Sequence, residues 1–126
     1  MTFATTRLPA YPTETAPDGS AVRVLLGLTG GTMAHFEWPA GATSRAVTHR
    51  TVEEVWFVLS GRGELWREQA GCEEVVALEP GVCVTLPRGT HFQVRSSPTY
   101  AVAVVAVTIP RWPGGSEVEF VSGPWR

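Results

Sequence analysis

Lysine and asparagine are both missing from the 126 residues. Without lysine no Schiff base can form on a side-chain amine, so covalently held pyridoxal phosphate and related imine chemistry are excluded. Cysteine is scarce: Cys72 and Cys83 are the only two, and they form no CxxC pair. That usage suits reduced thiols in a cytosol better than a disulfide framework. No stretch approaches the roughly 18 to 20 apolar residues of a membrane helix, and the N-terminus shows no charged-then-apolar leader pattern. The expectation is a soluble, cytoplasmic protein that does not engage a membrane. Ten Arg stand against twelve acidic residues, a formal net charge of −2 with no long like-charge run. Such a surface offers no footprint for nucleic acid, which leaves a small neutral or mildly charged molecule as the expected partner. Arginine used to the exclusion of lysine fits the codon bias of a GC-rich bacterial genome.

The length fits one domain with a single hydrophobic core. Residues 1–20 carry Pro9, Pro12, Pro17 and the turn Asp18-Gly19 and read as an extended N-terminal arm without a regular element. Residues 21–126 form the domain proper. From Val22 onward, short runs rich in Val, Leu, Trp and Thr alternate with Gly and Pro, the pattern of an all-β domain. Strands are predicted near 22–28, 32–38, 42–49, 54–60, 63–68, 73–78, 82–86, 91–96, 100–108 and 117–121. Two glycines, Gly61 and Gly63, predict a tight hairpin joining the runs 55–59 and 64–66. The unbroken apolar run 101–107 predicts a strand buried on both faces.

Two stretches carry a spacing of their own. Gly41 is followed by five residues, then Val47-Thr48-His49, four residues, Glu54, six residues and Gly61. Later come Gly81, Pro87 and Gly89, with Phe92 and Ser96 at the following fixed intervals and His91 one place early. Both stretches resemble the two signature motifs of the cupin superfamily. In the first, both glycines, the second His and the Glu match, while the first His is replaced by Val47. In the second, Phe92 and Ser96 stand where the family has His and Asn. The wider sequence, with 51–56 and Trp112-Pro113-Gly114, looks like small stand-alone bacterial cupins, a likeness that carries no activity with it. The resemblance implies a double-stranded β-helix, a jelly-roll barrel, with its site inside.

In cupins the matching strands point their ligands into the barrel, where three imidazoles and a carboxylate hold Fe, Mn, Zn or Ni. Strand alternation then puts Val47 and His49 on the lumen face of one strand and Glu54, Trp56 and Val58 on that of the next, with Val55, Phe57 and Leu59 on the other side. His91 would be the third metal ligand if its strand is shortened by one residue. Its parity class is His91, Gln93, Arg95, whereas Phe92 and Val94 form the apolar class, and a polar lumen would accept either. His35 is a further possible contributor, but a lone His on an outer strand reads first as solvated or hydrogen-bonded. Glu53 reads as a surface carboxylate, Cys83 as a small core residue, and Trp66, Trp112 and Trp125 as packing residues.

Three functional readings follow. In the first, His49 and Glu54 are the acid and base of an isomerase, lyase or cyclase that works without a cofactor. The substrate then lies against Trp56, Val47, Val58, Phe92 and Gln93. The second is a metal-dependent cupin, for example an oxygenase, holding Fe, Mn, Ni or Zn on His49, Glu54 and His91. The third is a non-catalytic ligand-binding or sensor cupin. Open sheet edges and the proline-rich arm suggest a homodimer.

Overall fold

The computed structural model describes residues 2–126. Among the described residues there are eleven strands: β1 (Glu14–Thr15), β2 (Ala21–Leu28), β3 (Gly31–Trp38), β4 (Val47–His49), β5 (Glu53–Gly61), β6 (Gly63–Gln69), β7 (Cys72–Leu78), β8 (Cys83–Leu86), β9 (His91–Ser96), β10 (Val102–Ile109) and β11 (Val118–Phe120). They form two antiparallel sheets, one in the order β1-β2-β3-β10-β5-β8 and one in the order β11-β4-β9-β6-β7. The sheets face each other over a core of alternating side chains, the layering of a jelly roll. No helix among the described residues is long and apolar enough to cross a membrane.

The period of two is clearest in β5, where Glu54, Trp56 and Val58 are buried and Val55, Phe57 and Leu59 are exposed. Its neighbour β10 sends Val104, Ala106 and Thr108 inward, opposite Val58, Trp56 and Glu54. On the far side of β10 lie Phe36, Ala34 and Thr32 of β3 in the same rows. Ala106 beside Trp56, and Ala34 one strand further on, present only methyl groups in that row, which leaves room in the interior at that level. Below it, Val58, Leu65, Leu78, Val94 and Val102 close the core.

Several expectations are corrected. The runs 55–59 and 64–66 are not a hairpin: β5 and β6 lie in different sheets, joined only through Arg62. Gly61 has φ +87°, and a Cβ there would overlap the carbonyl of Ala101. The glycines turn a corner between layers instead of folding a strand back on itself. β6 instead forms its hairpin with β7, turning at Ala70 and Gly71, both with positive φ, a two-residue turn suited to strand twist. The run 101–107 is not buried throughout, since Val105 and Val107 on the outer face are only half-buried. The strand expected over 42–49 shrinks to β4, preceded by an isolated bridge from Thr43 to Arg95. The arm contains a regular element after all, because β1 pairs with Val22 and Ala21. Cys83 is exposed, not a core residue.

Candidate active site

Between the sheets lies a cavity of about 430 Å³, a size suited to small molecules. Its walls include Phe36, Trp38, Val47, Trp56, Phe92, Trp112 and Val118. Its polar groups are few: Asp18, Ser20, His49, Glu54, Thr32 and Thr108, with the exposed Glu14, Thr15 and Arg111 toward solvent.

β4 and β5 bring His49 and Glu54 together. His49 Nδ1 lies 3.4 Å from Glu54 Oε2, and both side chains are buried. Glu54 Oε1 accepts a 2.6 Å hydrogen bond from the Trp56 indole, two residues along the same strand face. The imidazole stands edge-on between two aromatic rings, Phe92 at 5.3 Å and Trp112 at 5.2 Å between centroids. Apolar walls on every side make charge expensive there. Burial lowers the His49 pKa to about 4, opposed only in part by the nearby charge of Glu117. Burial raises Glu54 to about 7; the Trp56 hydrogen bond pulls against the rise and the charge of Asp18 adds to it. Between these values both groups are neutral, so a proton that an ion pair would place on the imidazole sits on the carboxyl.

Other residues singled out by the sequence lie elsewhere. β9 pairs with β4 so that Phe92 faces Val47 across the lumen side, which points His91, Gln93 and Arg95 outward. His91 is half-exposed beside Glu68, 3.5 Å away on the outer face, and is not part of the cavity. Gln93 is buried, yet its amide holds the C-terminal tail: its nitrogen donates to the carbonyls of Ser44 and Trp125, and its oxygen accepts from the Trp125 amide. Neither residue reaches the cavity, because Phe92 and Val94 take the apolar interior. Val58 is in the closed core beneath the cavity. His35 is buried on the outer side of β3, where Arg23 pairs across from it.

Two carboxylates carry weight that the sequence did not signal. Asp18, in the turn after β1, is buried in the cavity wall; its Oδ1 accepts from both the amide and the hydroxyl of Ser20. Burial raises its pKa, and those two hydrogen bonds and the nearby Trp38 indole pull it back only in part. Glu117, in a 3₁₀ turn (Gly115–Glu117), accepts from the amides of Thr51 and Val52 and from the Thr51 hydroxyl. Burial would raise its pKa, but these hydrogen bonds, with His49, hold it below the ordinary carboxylate value. The turn carries the chain past Trp112, which the sequence marked for packing and the fold sets against His49. Asp18 and Glu117 sit outside the motif stretches, in segments whose local signal is only a turn.

The family profile described as "Cupin domain" matches residues 34–108. The chain belongs to the cupin family. Solved structures share this cupin's fold at low identity. A conserved protein with a double-stranded β-helix domain from Klebsiella pneumoniae has 16% identity and a TM-score of 0.70, over 94% of this chain and all of the other. Streptomyces PAC13 with uridine has 13% identity and a TM-score of 0.71, over 94% of this chain and 92% of that one. CapF, a capsular polysaccharide assembling protein from Staphylococcus aureus, has 16% identity and a TM-score of 0.71, with 87% of this chain on 34% of that one. These identities show the fold alone. No curated protein matches this cupin in sequence.

Cupins commonly hold a metal, and the donor set of this one does not fit the usual four. Of the family positions, Val47 and Phe92 carry no donor, and the displaced His91 lies outside the lumen. His49 and Glu54 remain, one short of the three protein ligands usual for a catalytic site. Among the described residues, no three His, Cys, Asp or Glu side chains gather at metal-holding distance.

Proposed function

We propose that this cupin is a small-molecule enzyme of the isomerase, lyase or cyclase kind, working by proton transfer between His49, Glu54 and a bound substrate. The observation that carries it is the buried contact of His49 and Glu54, 3.4 Å apart in an apolar cavity, where burial lowers the imidazole to about 4 and raises the carboxyl to about 7. A neutral imidazole is a base ready to take a proton from an activated carbon, and a protonated carboxyl is an acid ready to give one to the oxygen that gains charge. An isomerase returns the proton at a second carbon; a lyase leaves it on the departing group. Either way protons balance within the site, and no redox partner is required. Trp56 fixes the rotamer of Glu54, so Oε2 is the oxygen that carries the mobile proton. The uridine bound to PAC13 supports the use of such a barrel as a small-molecule chamber.

The test is Glu54→Gln. It should lower turnover by at least about a hundredfold, the usual contribution of a general acid or base. Above pH 7, where the carboxyl is ionised, it should also leave the melting temperature equal or higher, because a costly buried charge disappears at constant volume. Protein purified without a His tag should hold well under one equivalent of Fe, Mn, Ni or Zn and keep its melting temperature in chelator. Stoichiometric metal lost in the variant, with stability lost alongside, would establish the metal-dependent reading instead.

A further inference from the structure

Most polar groups around the cavity already have partners within the protein. The Trp56 indole donates to Glu54 Oε1, and the Ser20 amide and hydroxyl both donate to Asp18 Oδ1. The Trp38 indole nitrogen is sealed from the cavity, beside the Asp18 carboxyl that is its acceptor. The hydroxyls of Thr32 and Thr108 hydrogen-bond to each other, and at the exposed rim Arg111 donates to the Leu28 carbonyl. Two buried side chains keep open atoms. Among the described residues no hydrogen bond engages Glu54 Oε2 or a ring nitrogen of His49; the 3.4 Å contact between Nδ1 and Oε2 is all they have. The surfaces around them are the rings of Trp56, Phe92 and Trp112. The chamber therefore offers a ligand one polar position in an apolar wall.

We propose that the ligand of this cavity is a neutral, flat ring ketone, with its carbonyl at His49 and Glu54 and its hydrocarbon body between the aromatic walls. The volume of about 430 Å³ suits one or two rings. Every further hydroxyl would be buried without a partner, which counts against a sugar. An anion would find no cation in the interior and would lie against Asp18. A cation would suit the rings, but it would draw Glu54 into its ionised form and remove the acid. A carbonyl oxygen accepts from the neutral Glu54 carboxyl, whose proton burial retains. This ligand class rests on the proton-transfer reading of the pair. The carbonyl acidifies the adjoining C–H, His49 takes that proton and Glu54 gives one to the oxygen, so the ketone becomes an enol. His49 then returns a proton to the same or a neighbouring carbon while the enol proton passes back to Glu54, which restores both side chains.

Calorimetry on the full chain, between pH 4.5 and 6.5 where both side chains are neutral, measures binding separately from turnover. The probes are 2-tetralone and cyclohex-2-enone as ketones, 2-naphthoate as an anion, methyl β-D-glucopyranoside as a polyol and phenyltrimethylammonium as a cation. At least one ketone should bind saturably and the other three probes at least about tenfold more weakly, the value of one hydrogen bond. Ala34→Phe puts a ring into the cavity without replacing His49 or Glu54, and should weaken the ketone by at least the same factor. If that variant fails to fold, the contrast among probes on the wild type decides alone. In heavy water the wild type should speed deuterium exchange at the carbon beside the carbonyl, followed by NMR. Glu54→Gln should keep ketone binding while losing that exchange. Failure of both ketones to bind, binding of the anion, polyol or cation within about tenfold of the ketone, or undiminished ketone binding in a folded Ala34→Phe protein would overturn the ligand class. Exchange of a bound ketone that is no faster than in buffer, or that Glu54→Gln retains, would instead overturn the proton-transfer reading and leave the ligand class standing.

Discussion

An imidazole and a carboxylic acid 3.4 Å apart in water would pass a proton and become an ion pair; inside this barrel burial pushes the His49 pKa down and the Glu54 pKa up, against that transfer. The pH dependence follows from that reversal. Glu54 in the folded protein titrates near 7, above its ordinary 4.5, so its contribution to stability is complete below pH 4.5 and is lost as pH rises through 7. His49 is depressed from 6.5 to about 4, so its contribution is complete above pH 6.5 and is lost as pH falls through 4. Between 4.5 and 6.5 the two slopes oppose each other and the pair contributes a plateau. Urea midpoints measured against pH should show the wild type level from 4.5 to 6.5 with a decline to about pH 7, and Glu54→Gln without that decline and instead rising from about pH 4 to 6.5, the His49 contribution alone. An unchanged decline would mean that Glu54 titrates normally. In kcat/KM the same pair should give a bell with limbs near 4 and 7, values that belong to the coupled pair and not to either residue alone. His49 and Glu54 were legible as partners because they stand at matching positions of the first cupin motif, and the resemblance implies that both point into the barrel. Asp18 and Glu117 were not, since burial of a turn carboxylate depends on which distant strands cover it.

At the scale of elements, nearly every strand was legible from alternation and glycine punctuation, and what failed was pairing. The Gly61-Arg62-Gly63 stretch has the composition of a hairpin turn, yet it crosses between layers, with Gly61 pressed so closely on the Ala101 carbonyl that no Cβ would fit. Local sequence reports that a chain turns, and only the long-range partner of each strand says where. The parity of β9 was open because a polar lumen would accept His91 and Gln93 as readily as Phe92 and Val94; in the fold the outer face carries half-exposed His91, exposed Arg95, and Gln93 buried under the C-terminal tail. The 3₁₀ turn gives a prediction at this level. Glu117 ties the turn to the loop that carries His49 into Glu54, through Thr51 and Val52, and the Arg50 amide donates to its carbonyl. Glu117→Gln weakens those charge-assisted bonds and should cost about 1 to 3 kcal/mol, read from urea denaturation. The loss of its negative charge should also push the His49 pKa lower still in an NMR titration, a shift that simple loosening of the loop, with more water at the imidazole, would reverse.

Across the whole molecule the two sheets are finished differently. The tail lies over the outside of the five-stranded sheet, where Gln93 holds Trp125, Arg95 stacks on the same indole and Arg45 covers Phe120. The six-stranded sheet has no such cover over β5: Val55, Phe57 and Leu59 are 43%, 46% and 43% exposed, beside half-buried Val105 and Val107 of β10. A contiguous apolar stripe in a chain of this size marks an interaction face. The stripe runs through a central strand, so it suits face-to-face contact with a second copy, in which a two-fold axis sets each stripe on its equivalent. We expect light scattering at micromolar concentration to give twice the chain mass. Phe57→Glu, which puts a charge in the middle of that stripe without touching the lumen side of β5, should give the monomer mass with turnover per chain retained. A wild type that scatters as a monomer would leave the stripe to some other partner. A variant that becomes monomeric and also loses activity would mean that the second copy steadies β5, and through it the Glu54–Trp56 hydrogen bond on the opposite face.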